Sequence, residues 1–517
     1  MKKMIKNILF FVCSALLLAS CFDDDGNYTY VVDNNKISFK YASSTSTAYI
    51  GDPIVFEPII TNDSLIDTTL YRWEYHFHPY GLVCTTRVMS HVFEDIKVAT
   101  SLTGIVRAIN TQNGFSYTYN ISASYKNIWD IGWLVLADNN GASELSLVKA
   151  KDTIWVTDQN LTQLINQQAL GSNPKKLISS DAQRAEVRVI QGSGNVILQN
   201  VDYHQLGTFE AEFNSGAYPA GFVPKFFTAS GGNVAAIQGE DGRTYVKIFN
   251  SATVYLSEKW FDQPMSYEGT TLDIQYLLNI SEKTSAIKSL MAYDKASSKF
   301  FLVAGNGFNA TTGAFLPIGS QISDETIPLP SNLSAYDNEF CILRNSAANN
   351  LEVFSVLKEK ATGDYYYYNF KLAASNYNSL YATNITLEPV PAEVAAAMKE
   401  GTRYMMPPTT TTATKSHLFI INPDEPNTLY VTNTAMKANS KLEVYKTFSS
   451  PITAMKAHCT QTLDKLTMGI GLQNGVFNIC NINLNVLDDL ESATDEDKIA
   501  WEAQIPGRIV DLCYKYK

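Results

Sequence analysis

The sequence predicts an all-β chain in two parts, a small antiparallel sandwich followed by a larger body of seven or eight β-propeller-like blades. Three observations predict it. The 29 tyrosines and 25 phenylalanines, with many Thr and Val, favour strands. Between about 36 and 125, short alternating runs recur between turn residues. Beyond 129, strand–turn–strand units return at roughly 40–50-residue spacing. Long helical periodicity is almost absent. A chain of 517 residues also exceeds what a single core serves.

Residues 1–20 read as a lipoprotein signal peptide. Lys2, Lys3 and Lys6 form a basic start, and Ile8 to Leu18 form an apolar run. That run is too short to span the ~30 Å of a bilayer core. Leu18-Ala19-Ser20 places small residues directly before Cys21, as a cleavage site requires. Cys21 is therefore the expected lipidation site, and two acyl chains suffice for stable anchoring at about 0.8 kcal/mol per buried methylene. Residues 21–33 then form an acidic tether, in which Asp23, Asp24 and Asp25 follow the cysteine almost at once. This run resembles the surface-export signal of Bacteroidetes lipoproteins. The 37 basic and 51 acidic residues after Ser20 leave a net charge of −14. That argues against nucleic acid as a partner, because its binding rests on Lys and Arg neutralising phosphates.

Residues 34–126 carry the strands of the sandwich. Lys36 to Phe39, Ile54 to Glu57, Tyr71 to Phe77, His91 to Phe93, Thr103 to Ile109 and Phe115 to Tyr125 are short and alternate. Gly51-Asp52-Pro53-Ile54-Val55-Phe56, Tyr71-Arg72-Trp73-Glu74-Tyr75, His91-Val92-Phe93 and Arg107-Ala108-Ile109-Asn110 before Gly114 resemble an immunoglobulin-like PKD domain. The resemblance makes Trp73 the core tryptophan. His76-Phe77-His78-Pro79 replaces the family's Gly-Asp-Gly turn. His76, His78 and His91 are the candidate metal ligands, yet no carboxylate motif accompanies them, and exposed polar residues are the expected reading.

Lys126-Asn127-Ile128 reads as a short hinge, and the propeller-like domain runs over 129–517. Ala292-Tyr293-Asp294 before Lys299 to Val303 recurs as Ala335-Tyr336-Asp337 before Glu339 to Leu343. Gly132 to Leu136, Val234 to Ile237, His417 to Ile421 and Thr467 to Ile470 read as related strands, and Arg508 to Tyr514 as a strand closing the ring on the first blade. A long β-solenoid or two sandwiches are the alternatives. Pro391 to Gly401 predicts a short helix, Thr409 to Thr414 a threonine-rich loop, and Asp488 to Gln504 an acidic amphipathic helix.

The complete layout is similar to the PKD-like family lipoproteins of Bacteroidetes. That resemblance implies a surface lipoprotein accompanying a SusC/SusD-type, TonB-dependent uptake system, and it implies no established activity.

No GxSxG elbow, HExxH pair or Walker loop is present. Gly469 to Gly475 approaches a dinucleotide fingerprint but has one residue too many and a strand context, which predicts a β-turn. Asp138-Asn139-Asn140-Gly141 is oxygen-rich, but Asn-Gly is a hairpin signal. The five cysteines after Cys21 are widely spaced, so buried free thiols are expected rather than disulfides or zinc. No cofactor or metal is expected.

The aromatic candidates for ligand stacking are Trp155, Trp260 and Tyr366, the last within Tyr365 to Tyr368, where two of the four rings should face the core. The expected function is a ligand-binding or accessory lipoprotein for a glycan or a peptide. A glycoside hydrolase or lyase and a purely structural subunit are the alternatives.

Overall fold

A computed structural model describes residues 36–515 apart from the segments 62–66, 97–99, 127–128, 130, 152–153, 180–185, 201, 215, 230–233, 249–257, 281–288, 305–314, 318, 321–325, 346–350, 377–378, 408–415 and 459–465. Cys21, Asp23, Asp24, Asp25 and the threonine-rich loop lie outside the described residues. The chain divides into two compact units, ending at Ile128 and beginning at Trp129. No helix of the described residues is long and apolar enough to cross a membrane.

The first unit is a sandwich. One sheet has five strands in the order Thr45–Tyr49, Ser116–Lys126, Thr100–Asn110, Tyr71–Phe77 and Gly81–Cys84. Facing it, Ser38–Tyr41 pairs with Pro58–Thr61 and Ile54–Phe56 pairs with Met89–His91. Alternation decides which residues face inward. In Tyr71–Phe77, Tyr71, Trp73, Tyr75 and Phe77 are buried while Arg72 is exposed. Trp73 is 3% exposed, with Phe39 edge-on at 5.3 Å.

Among the described residues the second unit contains seven successive sheets of mostly four antiparallel strands, plus a two-stranded ribbon. The strands Gly132–Asn139, Glu186–Gln191, Val234–Gly239, Ser289–Asp294, Leu351–Glu359, His417–Ile421 and Thr467–Leu472 each sit second from one edge of their sheet. Seven apolar clusters lie between consecutive sheets. The last of them joins the seventh sheet to the first, with Phe477 and Ile479 packed among Trp133, Val135 and Leu512. Among the described residues no single sheet closes on itself, and the last sheet meets the first by packing.

The C-terminal strand Arg508–Lys515 lies in the first sheet, antiparallel to Gly132–Asn139. Two glycines make this seam possible. A Cβ on Gly469 would lie 2.8 Å from the Trp133 ring, and one on Gly471 2.3 Å from Ile509. These residues belong to the near-fingerprint; its last glycine, Gly475, follows the turn at φ +85°.

Three expectations change. The segment Asp488 to Gln504 is not one helix: a single turn, Asp495–Lys498, leads into the strand Ile499–Gln504. A Thr494 capping box starts that turn, and the burial of the strand alternates. The recurrence of Ala292-Tyr293-Asp294 as Ala335-Tyr336-Asp337 is not a structural repeat, because Tyr293-Asp294 ends one strand while Tyr336-Asp337 begins another. Three of the four consecutive tyrosines are buried, at 8% (Tyr365), 2% (Tyr367) and 0% (Tyr368). Their sheet carries a core on each face, so alternation exposes neither side.

Candidate ligand-binding site

The predicted aromatic residues separate into three environments. Trp260 is 1% exposed and packs beside Phe213 and Phe227, so its indole is part of a core and offers no face to a ligand. Tyr366 is half-buried, stands edge-on to Tyr336 at 5.9 Å, and donates its hydroxyl to Glu359 Oε2 at 3.3 Å. Trp155 sits on the edge strand Ile154–Asp158 of the first sheet, half-buried beside Ile154, which is 62% exposed.

Trp155 has a partner that sequence reasoning missed. Trp501 lies on Ile499–Gln504, the edge strand of the seventh sheet. The two indoles stack with centroids 6.1 Å apart and planes 29° apart. Both are only partly buried and flank the cluster that joins last sheet to first. A paired, rigid aromatic surface presents large apolar area at low entropic cost, the requirement for stacking on a sugar ring or an apolar side chain. The signal for Trp501 was hidden by its assignment to a helix.

The histidines do not converge. His76 Nε2 lies 3.2 Å from Glu74 Oε2, and His91 packs against Phe93 at 4.6 Å. A groove of about 690 Å³ opens beside His76, His78, Ile105 and Asn120. No group of three metal-ligating side chains occurs among the described residues. Asp138 Oδ1 accepts the Gly141 N–H at 2.7 Å, and Asn140 and Gly141 both have positive φ, which makes this segment a hairpin turn.

The thiols of Cys341, Cys480 and Cys513 are buried and free, and Cys84 is half-buried and free. Burial pushes the Cys341 and Cys513 thiols up to about 12, which leaves them protonated and unreactive.

A second feature that the sequence concealed is a four-charge cluster between the second and third sheets. Arg188 donates to Glu186 at 2.8 Å and to Glu212, and Lys247 also donates to Glu212. All four side chains are 0% exposed. Phe227 lies 4.2 Å from the guanidinium carbon, and Trp260 lies 4.7 Å from the Lys247 ammonium. Burial opposes the Glu212 charge most strongly, but Arg188 and Lys247 outweigh it and hold the carboxyl below the usual carboxylate range. Two carboxylates and two cations cancel, and none of them reaches solvent. The cluster is therefore a core element.

Residues 21–174 match the PKD-like family. The match covers the sandwich and runs past Trp129 to include the first three strands of the body, ending where the second sheet begins. The chain thus has an N-terminal PKD-like domain. No curated protein matches the sequence. Among solved structures, a quinonprotein alcohol dehydrogenase-like protein from Bacteroides thetaiotaomicron is similar at 10% identity and a TM-score of 0.43, over 91% of this chain and 96% of that one. A dihydro-heme d1 dehydrogenase, NirN, is similar at 7% identity and a TM-score of 0.39, over 74% of each chain. PorZ of Porphyromonas gingivalis, a surface component of a type-IX secretion system, is similar at 9% identity and a TM-score of 0.28, over 67% of this chain and 45% of that one.

Proposed function

We propose that this chain is a lipid-anchored, surface-exposed lipoprotein whose body is a seven-bladed propeller that binds a glycan or peptide beside a TonB-dependent, SusC/SusD-type transporter. The observation that carries the binding role is the stacked, partly exposed Trp155–Trp501 pair at the seam of the body. Support for the propeller reading comes from the cycle of seven inter-sheet cores and from the last strand pairing inside the first sheet. Support for the anchor comes from Cys21 after small residues and from the acidic run behind it.

Affinity purification of the detergent-solubilised protein from its native membrane tests the partner. Recovery of a TonB-dependent transporter supports the reading, and a protein that purifies alone and turns over a glycan overturns it. Cys21→Ala tests the anchor: the variant should leave the membrane fraction while keeping its fold. If it still sediments with membranes after a salt wash, the anchor is wrong. Trp155→Ala combined with Trp501→Ala should weaken ligand retention, whereas a purely structural subunit would keep its transporter and show no change in ligand binding.

A further inference from the structure

On the propeller reading above, the strands that surround the axis are Pro174–Ser179, Pro224–Ala229, Ile274–Asn279, Tyr336–Asn345, Arg403–Met405, Ile452–Ala457 and Arg508–Lys515, each an edge strand of its sheet. Each touches the next. The Leu177 N–H donates to Asp511 Oδ2 at 2.9 Å. Starts meet starts: Gln275 Nε2 donates to the Asn338 carbonyl at 2.9 Å, and Arg403 Nη1 to the Thr453 carbonyl at 2.9 Å. An end meets an end where Asn279 Nδ2 donates to the Ala229 carbonyl at 2.9 Å.

All of these strands except Arg403–Met405 carry a β-bulge near the start, which re-aims one extra side chain out of the ladder. The bulged residues are Lys175, Lys225, Gln275, Glu339, Thr453 and Val510. Every one is exposed or half-buried, so the bulges gather accessible side chains at one end of the axis.

Positive charge collects on two adjacent sheets of that ring. Lys176 Nζ lies 3.3 Å from Asp511 Oδ2, and Lys175 Nζ lies 4.0 Å from Glu240 Oε1. Lys225 is exposed and has no ion pair among the described residues. Burial, and after it the like charge of Lys176, pulls the Lys225 ammonium below the ordinary lysine value; Asp273 and Glu240 act against this, and Lys295 acts with it. An accessible cation crowded by like charge gains from an anion placed beside it. The neighbouring bulges offer acceptors. Gln275 has its Nε2 occupied by Asn338 and keeps its Oε1. Thr453 Oγ1 donates to the Gly471 carbonyl at 3.0 Å and can only accept from a ligand.

One anionic group beside several acceptors calls for a ligand with one carboxylate and many O–H donors. We infer that this end of the axis binds a glycan through a uronic acid, its carboxylate on Lys225 and Lys176 and its hydroxyls on Gln275 and Thr453. Glu339, two sheets from Lys225, repels the carboxylate and fixes which way round the sugar lies.

The inference rests on the propeller and binding readings above, and its test separates its failure from theirs. The solubilised full-length lipoprotein is titrated with galacturonate and with galactose by saturation-transfer NMR. The two sugars differ only in a carboxylate against a hydroxymethyl group, so the ratio of their affinities reads the charged contact alone. Galacturonate should bind about ten-fold tighter, the order expected of one charge-assisted hydrogen bond, and the advantage should shrink in about 0.5 M NaCl. Lys225→Gln and Lys176→Gln should each remove most of it, Lys225→Arg should keep it, and Lys441→Gln, at an exposed lysine beside the strand Glu443–Thr447, should not change it. The site is overturned if the two sugars bind alike or not at all, or if Lys225→Gln keeps the full advantage. It is also overturned if N-acetylglycine binds as tightly as galacturonate, which would give the lysines to a peptide carboxylate. Failure of the tryptophan surface would show instead as unchanged affinity for both sugars in the Trp155→Ala/Trp501→Ala variant.

Discussion

The strand Tyr71–Phe77 of the sandwich and the strand Glu186–Gln191 of the body are both central and antiparallel, yet they bury their residues differently. In the first, every second residue is buried and those between are exposed or half-buried. In the second, all six are buried, as they are in Val234–Gly239. A sandwich sheet packs one face on a core and turns the other outward. A body sheet lies between two neighbours and has a core on each face. Period-two alternation is therefore lost in these inner strands of the body, which is where polar side chains are forced inside. Glu186 and Arg188 share one strand face with no outlet to solvent, and they are tolerated because Glu212 and Lys247 complete their pairing.

The comparison predicts separable behaviour. The largest effect should come from ending the chain at Gly507. Removing Arg508–Lys515 strips a neighbour from Gly132–Asn139 and opens the last inter-sheet core, so the body should lose its cooperative transition and aggregate through the exposed edge. The sandwich should keep its protease resistance. If the truncated body still melts cooperatively at the parent temperature, the closing role of that strand is refuted.

Next in size, Glu212→Ala should destabilise the body by about 3–5 kcal/mol in urea unfolding, because it leaves two buried cations short of a carboxylate. The same contact carries a pH dependence. Glu212 is held below its unfolded value near 4.5, so its contribution is complete above that value and is lost as pH falls through the lower, folded one.

In the sandwich, Trp73→Ala removes the central ring and should also cost about 3–5 kcal/mol. In so small a domain this consumes most of the stability. The sandwich transition should disappear from a calorimetric scan while the body transition stays in place.

The smallest effect is a shift with pH alone. Burial pulls His458 from 6.5 to about 4, so the unfolded chain takes up a proton before the folded one does. The body should be most stable above pH 6.5 and weaken between 6.5 and about 4. His458→Gln should flatten that slope, and an unchanged slope would show that His458 does not set it. His417, also lowered by burial, titrates in the same direction.

Much of the architecture was legible. The sandwich strands and Trp73 follow from alternation, the turn at Asn140-Gly141 from its dipeptide, and the last strand from its apolar run. One misreading came where both faces of a sheet are covered, and another where an acidic segment precedes an edge strand. The tyrosine run was expected to show two rings outward because a strand was assumed to have an outward face. Trp501 was assigned to a helix because the acidic segment before it imitates one, and only four residues of it are helical.

Composition and local pattern are sufficient for features that act over a few residues, strand character and tight turns among them. The pairing of Trp155 with Trp501 and the Glu212 bridge between Arg188 and Lys247 join residues tens to hundreds of positions apart. Side chains at such separations meet only once packing has placed one sheet against the next. Their chemistry therefore depends on geometry that no local window of sequence contains.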